Sequence, residues 1–160
     1  MNIAIPVNQF NINNVFFQEA IKNTIMDDSN FIRIIYSDDI CMFNGICLEF
    51  VLHITHVDKS FNKFKCNFDN ILSNNIIQTI SKIEYDIISK YNMSMNMSIN
   101  KQPVFRISDQ IKNESIKVLS IKVLSINNSN STHKATFMIK ISGLWSNELE
   151  YGLTYKFTQC

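Results

Sequence analysis

The sequence predicts a mostly β, α+β domain: an antiparallel barrel or sandwich with one long inserted helix. Three observations carry this. Ala135 to Phe157 alternates with period two in two arms, Phe137, Ile139, Ile141, Gly143 and Trp145 on one face, then Tyr151, Leu153, Tyr155 and Phe157. Ile46 to Val57 alternates in the same way, with Ile46, Leu48, Phe50, Leu52 and Ile54 on one side and Cys47, Glu49, Val51, His53 and Thr55 on the other. Ile76, Ile80, Ile83, Ile87 and Tyr91 recur at helical spacing and form one apolar stripe of a helix from about Ile71 to Tyr91. A lone hairpin is marginal in water, so further strands must extend the C-terminal pair into a sheet.

The elements follow in order. Residues 1–14 read as an N-terminal arm. Val15 to Met26 reads as a short helix or a strand, with Phe16, Ala20 and Phe17 facing inward. Asp27-Asp28-Ser29-Asn30 is a turn, and Phe31 to Ser37 is a strand with Ile32, Ile34 and Tyr36 on one face, interrupted by Asp38-Asp39. Asn44-Gly45 reads as a type I′ hairpin turn, in which both central residues take positive φ. After the strand Ile46 to Val57, Asp58-Lys59-Ser60 turns the chain and Phe61 to Phe68 returns, Phe64, Cys66 and Phe68 alternating with Lys63, Lys65 and Asn67. Asp69 is placed to cap the helix. Met93 to Ser98 reads as a loop or short strand, and Pro103 to Ile107 as a strand. Ile116-Lys-Val-Leu-Ser repeats at once as Ile121-Lys-Val-Leu-Ser125. A repeat of five inverts every face of an unbroken strand, so a bulge or bend is expected near Ser120. Ile126 to Lys134 reads as a loop.

Residues 1–160 therefore read as one domain. Three strands, a helix and two strands are the logic of a five-stranded oligonucleotide/oligosaccharide-binding (OB) barrel. A sheet covered by a helix is the alternative.

Composition narrows the function classes. A net charge of +1 gives no global field for nucleic acid or membrane, so any such binding needs a local patch. No basic segment leads into a long apolar run at the start, and no run approaches the ~20 residues of a membrane span. Cys41, Cys47, Cys66 and Cys160 are accordingly expected as reduced thiols in an intracellular protein. The abundance of Ile and Asn fits an AT-rich genome, and the Asn-rich tracts read as loops.

Catalysis finds no support in the residues. His53 and His56 are three apart on an expected strand and should point to opposite faces, so they cannot share a metal. The cysteines lack Cys-x-x-Cys spacing, and the three glycines form no phosphate loop. Asp27-Asp28 and Asp38-Asp39 read as solvated turn caps rather than metal carboxylates. No enzyme activity, metal or cofactor is expected.

Binding of single-stranded DNA or RNA is the functional expectation. Lys59, Phe61, Lys63 and Lys65 are expected on the outward face of one strand, with His53 and Thr55 on its neighbour. Such binders combine cations along the backbone with aromatics on which bases stack. Taken alone, the stretch reads first as the solvated face of an amphipathic strand. Trp145 shares the parity of Ile139 and Ile141 and is expected in the core. The reading from another class is a structural or adaptor protein whose sheet packs on a partner, a second copy of the chain included.

Asn23, Ser29-Asn-Phe-Ile-Arg-Ile-Ile-Tyr-Ser37 and Asn44-Gly-Ile46, with Lys140-Ile-Ser-Gly-Leu-Trp145 and Tyr151-Gly-Leu-Thr-Tyr-Lys-Phe157, resemble a family of short proteins of nucleocytoplasmic large DNA viruses. The ending is also similar, more faintly, to phage-type single-stranded DNA-binding proteins. Those have an OB barrel with a helix inserted before the last strands. The resemblance implies a role in viral replication or transcription, a place in the viral factory or the virion, and viral replication or virion proteins as partners. The sequence departs from the phage-type family in ending at Gln159-Cys160 without an acidic tail. That departure speaks against a replisome-organising role.

Overall fold

The computed structural model describes residues 3–95, 100–121 and 132–160. The chain forms strands β1 (Ile5–Pro6), β2 (Val15–Phe17), β3 (Ile21–Lys22), β4 (Asn30–Ser37), β5 (Met42–Asn44), β6 (Ile46–Ser60) and β7 (Lys63–Phe68). Helix α1 (Asn74–Ser94) follows, then β8 (Gln102–Val104), helix α2 (Arg106–Lys112), β9 (Ser115–Val118), β10 (His133–Ser146) and β11 (Glu150–Gln159).

Five strands close into a barrel in the order β6-β7-β9-β11-β10, with β10 pairing back onto β6. Closure depends on the length of β6. Its first part, Ile46–Ile54, pairs with β10, and its last part, from Ile54 to Ser60, pairs with β7. A bulge between Ile54 and His56 marks the change of partner, as bulges bend a strand and increase its twist. Four of the pairings are antiparallel and β9–β11 is parallel, so the barrel is mixed rather than wholly antiparallel. The spatial order β10-β6-β7-β9 is that of a Greek key. Outside the barrel, β4 extends the sheet from the end of β10 and carries β2, β3 and β5, while β1 adds to β6 and β8 to β11.

The alternation expected for β4 and β6 is the observed one; on β11 it holds except that Tyr155 is only half-buried and Gly152 is buried as well. Ile32, Ile34 and Tyr36, then Ile46, Leu48, Phe50, Leu52 and Ile54, then Tyr151, Leu153 and Phe157 are all buried. Helix α1 turns Ile77, Ile80, Ile83, Ile87, Ile88 and Tyr91 into the same core, packing on α2, β6 and β11. Each such side chain contributes about 1.5–3 kcal/mol by leaving water.

Several expectations change. Helix α1 begins at Asn74 rather than near Ile71, because the Asp69 carboxylate accepts from the Leu72 amide at 2.8 Å and holds a turn ahead of it. Ile76 is only half-buried, and Ile77 and Ile88 widen the stripe. In the N-terminal segment Val15 is buried while Phe16 is 54% exposed and Ala20 is exposed, so Phe16 and Ala20 do not face inward. Asn44-Gly45 is not a hairpin turn. Gly45 alone takes positive φ (+88°), at a corner where the chain leaves β4's partner β5 and enters the barrel. The hairpin actually lies between β4 and β5, where the Asp38 carboxylate accepts from the Cys41 and Ile40 amides at 2.7 and 2.8 Å. Those bonds hold its pKa below the ordinary value.

Pro103 to Ile107 is strand only as far as Val104, and Arg106 opens α2. Its first turn lacks a side-chain cap of its own. Glu84 of α1 supplies one: its carboxylate accepts from the Ile107 and Ser108 amides at 2.9 and 2.7 Å and from the Ser108 hydroxyl at 2.6 Å. Ile116 to Val118 of the first repeat unit lie in β9 and the chain bends at Leu119, while residues 122–131, with most of the second unit and of the expected loop, lie outside the described residues. So do residues 96–99 of the Met-rich stretch, whose first residues complete α1. His133 and Lys134 already belong to β10.

A second bulge, between Ile141 and Gly143, decides where Trp145 goes. Beyond it Leu144 pairs with Ile32 and Leu153 on the core side, and Trp145 pairs with Phe31 and Gly152 on the opposite side. Trp145 is buried as expected, but outside the main core, with the Arg106 guanidinium 4.5 Å from its ring centroid. A Cβ on Gly152 would come 2.8 Å from the Val104 carbonyl oxygen of β8 and 3.2 Å from the indole, so the close packing of β11 here needs the glycine.

Candidate nucleic-acid interface

On β7, Phe64, Cys66 and Phe68 point inward, which leaves Lys63, Lys65 and Asn67 on the outer face. Register carries this face onto the neighbouring strands. Lys65 stands directly opposite Lys117 of β9 on one side and Asp58 of β6 on the other. Lys63, Lys65 and Lys117 are exposed, and with Ser60, Phe61 and Asn62 they line one open groove. Neither of the ion pairs among the described residues involves these lysines. Asp58 is engaged elsewhere, 2.6 Å from His56 Nε2 and accepting from the Asn67 amide nitrogen at 3.2 Å.

The expected site residues are not all on this face. β6 runs on to Ser60, so Asp58-Lys59-Ser60 is strand and the turn is made by Phe61 and Asn62. Lys59 is opposite Phe64, its ammonium 5.9 Å from that ring, and so points to the other face of the hairpin from Lys63 and Lys65. Phe61 is not on a strand. It sits at the tip with φ +52° and is 96% exposed. His53 lies outward but farther down β6, opposite Lys134 and partly buried, its amide donating to Ser73 Oγ at 3.2 Å. The bulge after Ile54 turns His56 to the same outer face as His53, correcting the expectation that they point apart. Among the described residues no group of three or more His, Cys, Asp or Glu could hold a metal.

Lys117 was not singled out by the sequence, although it lies between Ile116 and Val118, both buried. The same apolar-Lys-apolar signal marks Lys140 between Ile139 and Ile141, and Lys156 between Tyr155 and Phe157. Chemically the arrangement offers fixed positive charge, hydrogen-bond donors and one exposed aromatic face. It offers no nucleophile–base pair.

Comparison of the chain with protein-family models, with curated proteins and with solved structures finds no match. No helix among the described residues is long and apolar enough to cross a membrane.

Proposed function

We propose that this barrel binds single-stranded nucleic acid without sequence preference, in viral replication or transcription inside an infected cell. The observation that carries the reading is the face shared by Lys63, Lys65 and Lys117 beside the exposed Phe61. Five-stranded Greek-key barrels of the OB type bind oligonucleotides on the face of their second and third strands and on the loop between the first and second. Here the second and third barrel strands are β7 and β9, and that loop is Phe61-Asn62. Lysines on such a face meet phosphates, and phosphate contacts carry no sequence information. The viral setting rests on the resemblance of Lys140–Trp145 and Tyr151–Phe157 described above.

The test is a fluorescence-anisotropy titration of a labelled single-stranded oligonucleotide at two salt concentrations. Wild type should bind, and K63A/K65A should weaken binding to every sequence alike and flatten the salt slope by roughly 1.4. No binding at tens of micromolar in low salt would sink the reading. The adaptor reading would then gain from the groove that includes Ile21, Met26 and Phe31, where Ile25 is 91% exposed.

A further inference from the structure

We propose that the cationic track does not end at β9 but continues round the barrel over β11 and β10, through Lys156 and Lys140, so that the bound strand crosses the β-strands rather than following one. The inference rests on the nucleic-acid reading and deepens it.

Register carries the argument. Val118 of β9 pairs with Phe157 of β11, both buried, so the preceding residues Lys117 and Lys156 lie side by side on the outer face. Lys156 is in turn directly opposite Lys140 of β10. Lys65, Lys117, Lys156 and Lys140 thus form one row across four adjacent strands. At about 4.8 Å between strands, the row spans roughly 14 Å.

The distribution of opposite charge gives the row its limits. The outward charged residues of β7, β9, β10 and of β11 from Thr154 onward are all lysines. Outward carboxylates appear on β6, at Glu49 and Asp58, and β6 is the strand that neighbours both ends of the row, β10 at one and β7 at the other. Glu49 stands opposite Met138, one diagonal step from Lys140. Like charges facing one another across strands oppose folding, so four lysines in register are a cost to the free protein. An anion with charges repeated along its length relieves that cost at every step, whereas a single phosphate meets one or two members. The ligand class is therefore an extended polyanion, and the track predicts a footprint wider than the β7–β9 face.

The test uses the full chain and a labelled oligothymidylate of about 20 nucleotides, long enough to cover a single barrel. K140A/K156A is compared with K63A/K65A and with K82A, a control on α1 whose lysine pairs with Asp86. Circular dichroism melts establish that each variant is folded. K140A/K156A should lower affinity and flatten the log–log salt slope by roughly 1.4, and combining the two doubles should flatten it by roughly 2.8. If K140A/K156A keeps the wild-type slope while K63A/K65A loses its share, the extended track is wrong and the β7–β9 face stands. If neither double differs from K82A, both readings fall.

Discussion

Lys65 of β7 and Lys117 of β9 face each other directly across a pair of neighbouring strands. The same relationship recurs between Lys140 and Lys156. Lys65 has Asp58 on its other flank, while Lys117 is flanked by Lys156. Removing charge at Lys117 should therefore relieve repulsion without breaking an attraction. Lys117→Gln is expected to raise stability by about 0.2–1 kcal/mol in low salt. Chemical denaturation should show the gain shrinking as salt screens the surface. The same variant should bind oligonucleotide more weakly, which separates a cost of folding from a gain in binding.

Glu84 gives the second prediction. It is fully buried, and burial pushes its pKa above the ordinary glutamate value, against the bonds from Ser108 and Ile107 that favour the anion. Glu84→Ala leaves two amides and a hydroxyl unpartnered and should cost roughly 3 kcal/mol. Glu84→Gln keeps an acceptor and should cost less. The pH dependence has a definite sign. Between the ordinary value and the raised one, the folded state holds a proton that the unfolded chain has released, so stability falls as pH rises through that window. Glu84→Gln should flatten this part of the profile. A profile unchanged by the substitution would mean that another group sets it.

Much of this fold is legible in the sequence, for a physical reason. In β4 and β6 a buried face alternates with an outer one, and a period of two is written directly as Ile32-Arg33-Ile34 or Leu48-Glu49-Phe50. Bulges leave no such trace. The one at Ile141/Gly143 moved Trp145 off the core side, and the one at Ile54/His56 brought two histidines to one face. Helix α2 escaped because seven residues give a short stripe, Ile107 and Ile111, and because its cap comes from Glu84, 23 residues away. The lysine row escaped for a related reason. Each lysine is local and ordinary, and only the order β7-β9-β11-β10 sets them side by side.

The cysteines form a graded set of probes. Cys41 is exposed, Cys47 half-buried and Cys66 buried. Burial pushes the Cys66 thiol up from 9.0 to about 11. That reduces its thiolate fraction at neutral pH about a hundredfold. Alkylation of the folded protein should modify Cys41 first, Cys47 next and Cys66 last, and denaturant should level the rates. Burial also raises the Cys47 pKa, and the charge of Lys140 opposes that rise. Lys140→Ala should then slow Cys47 further, as read by mass spectrometry over time. An unchanged Cys47 rate would place the Lys140 ammonium away from this thiol.

Phe61 gives the sharpest separation of stability from function. A non-glycine residue in the left-handed region carries strain of order 1 kcal/mol. Phe61 is held there at φ +52° while its ring stays almost wholly in water. Among the described residues no aromatic ring or cation is stacked on its ring to reward the conformation. Glycine accepts positive φ, so Phe61→Gly should raise stability, or at least leave it unchanged once the extra backbone freedom of the unfolded chain is counted. On oligonucleotide the same change should cost about 1–3 kcal/mol, the worth of one base stacked on an aromatic ring. The salt slope should stay at its wild-type value, because stacking neutralises no phosphate. Phe61→Tyr or Phe61→Trp should retain affinity, since each keeps a ring at the tip. Anisotropy titrations with a denaturant melt of each variant decide the matter. If Phe61→Gly binds as tightly as wild type, the tip takes no part in stacking, and the lysines alone would have to carry the interaction.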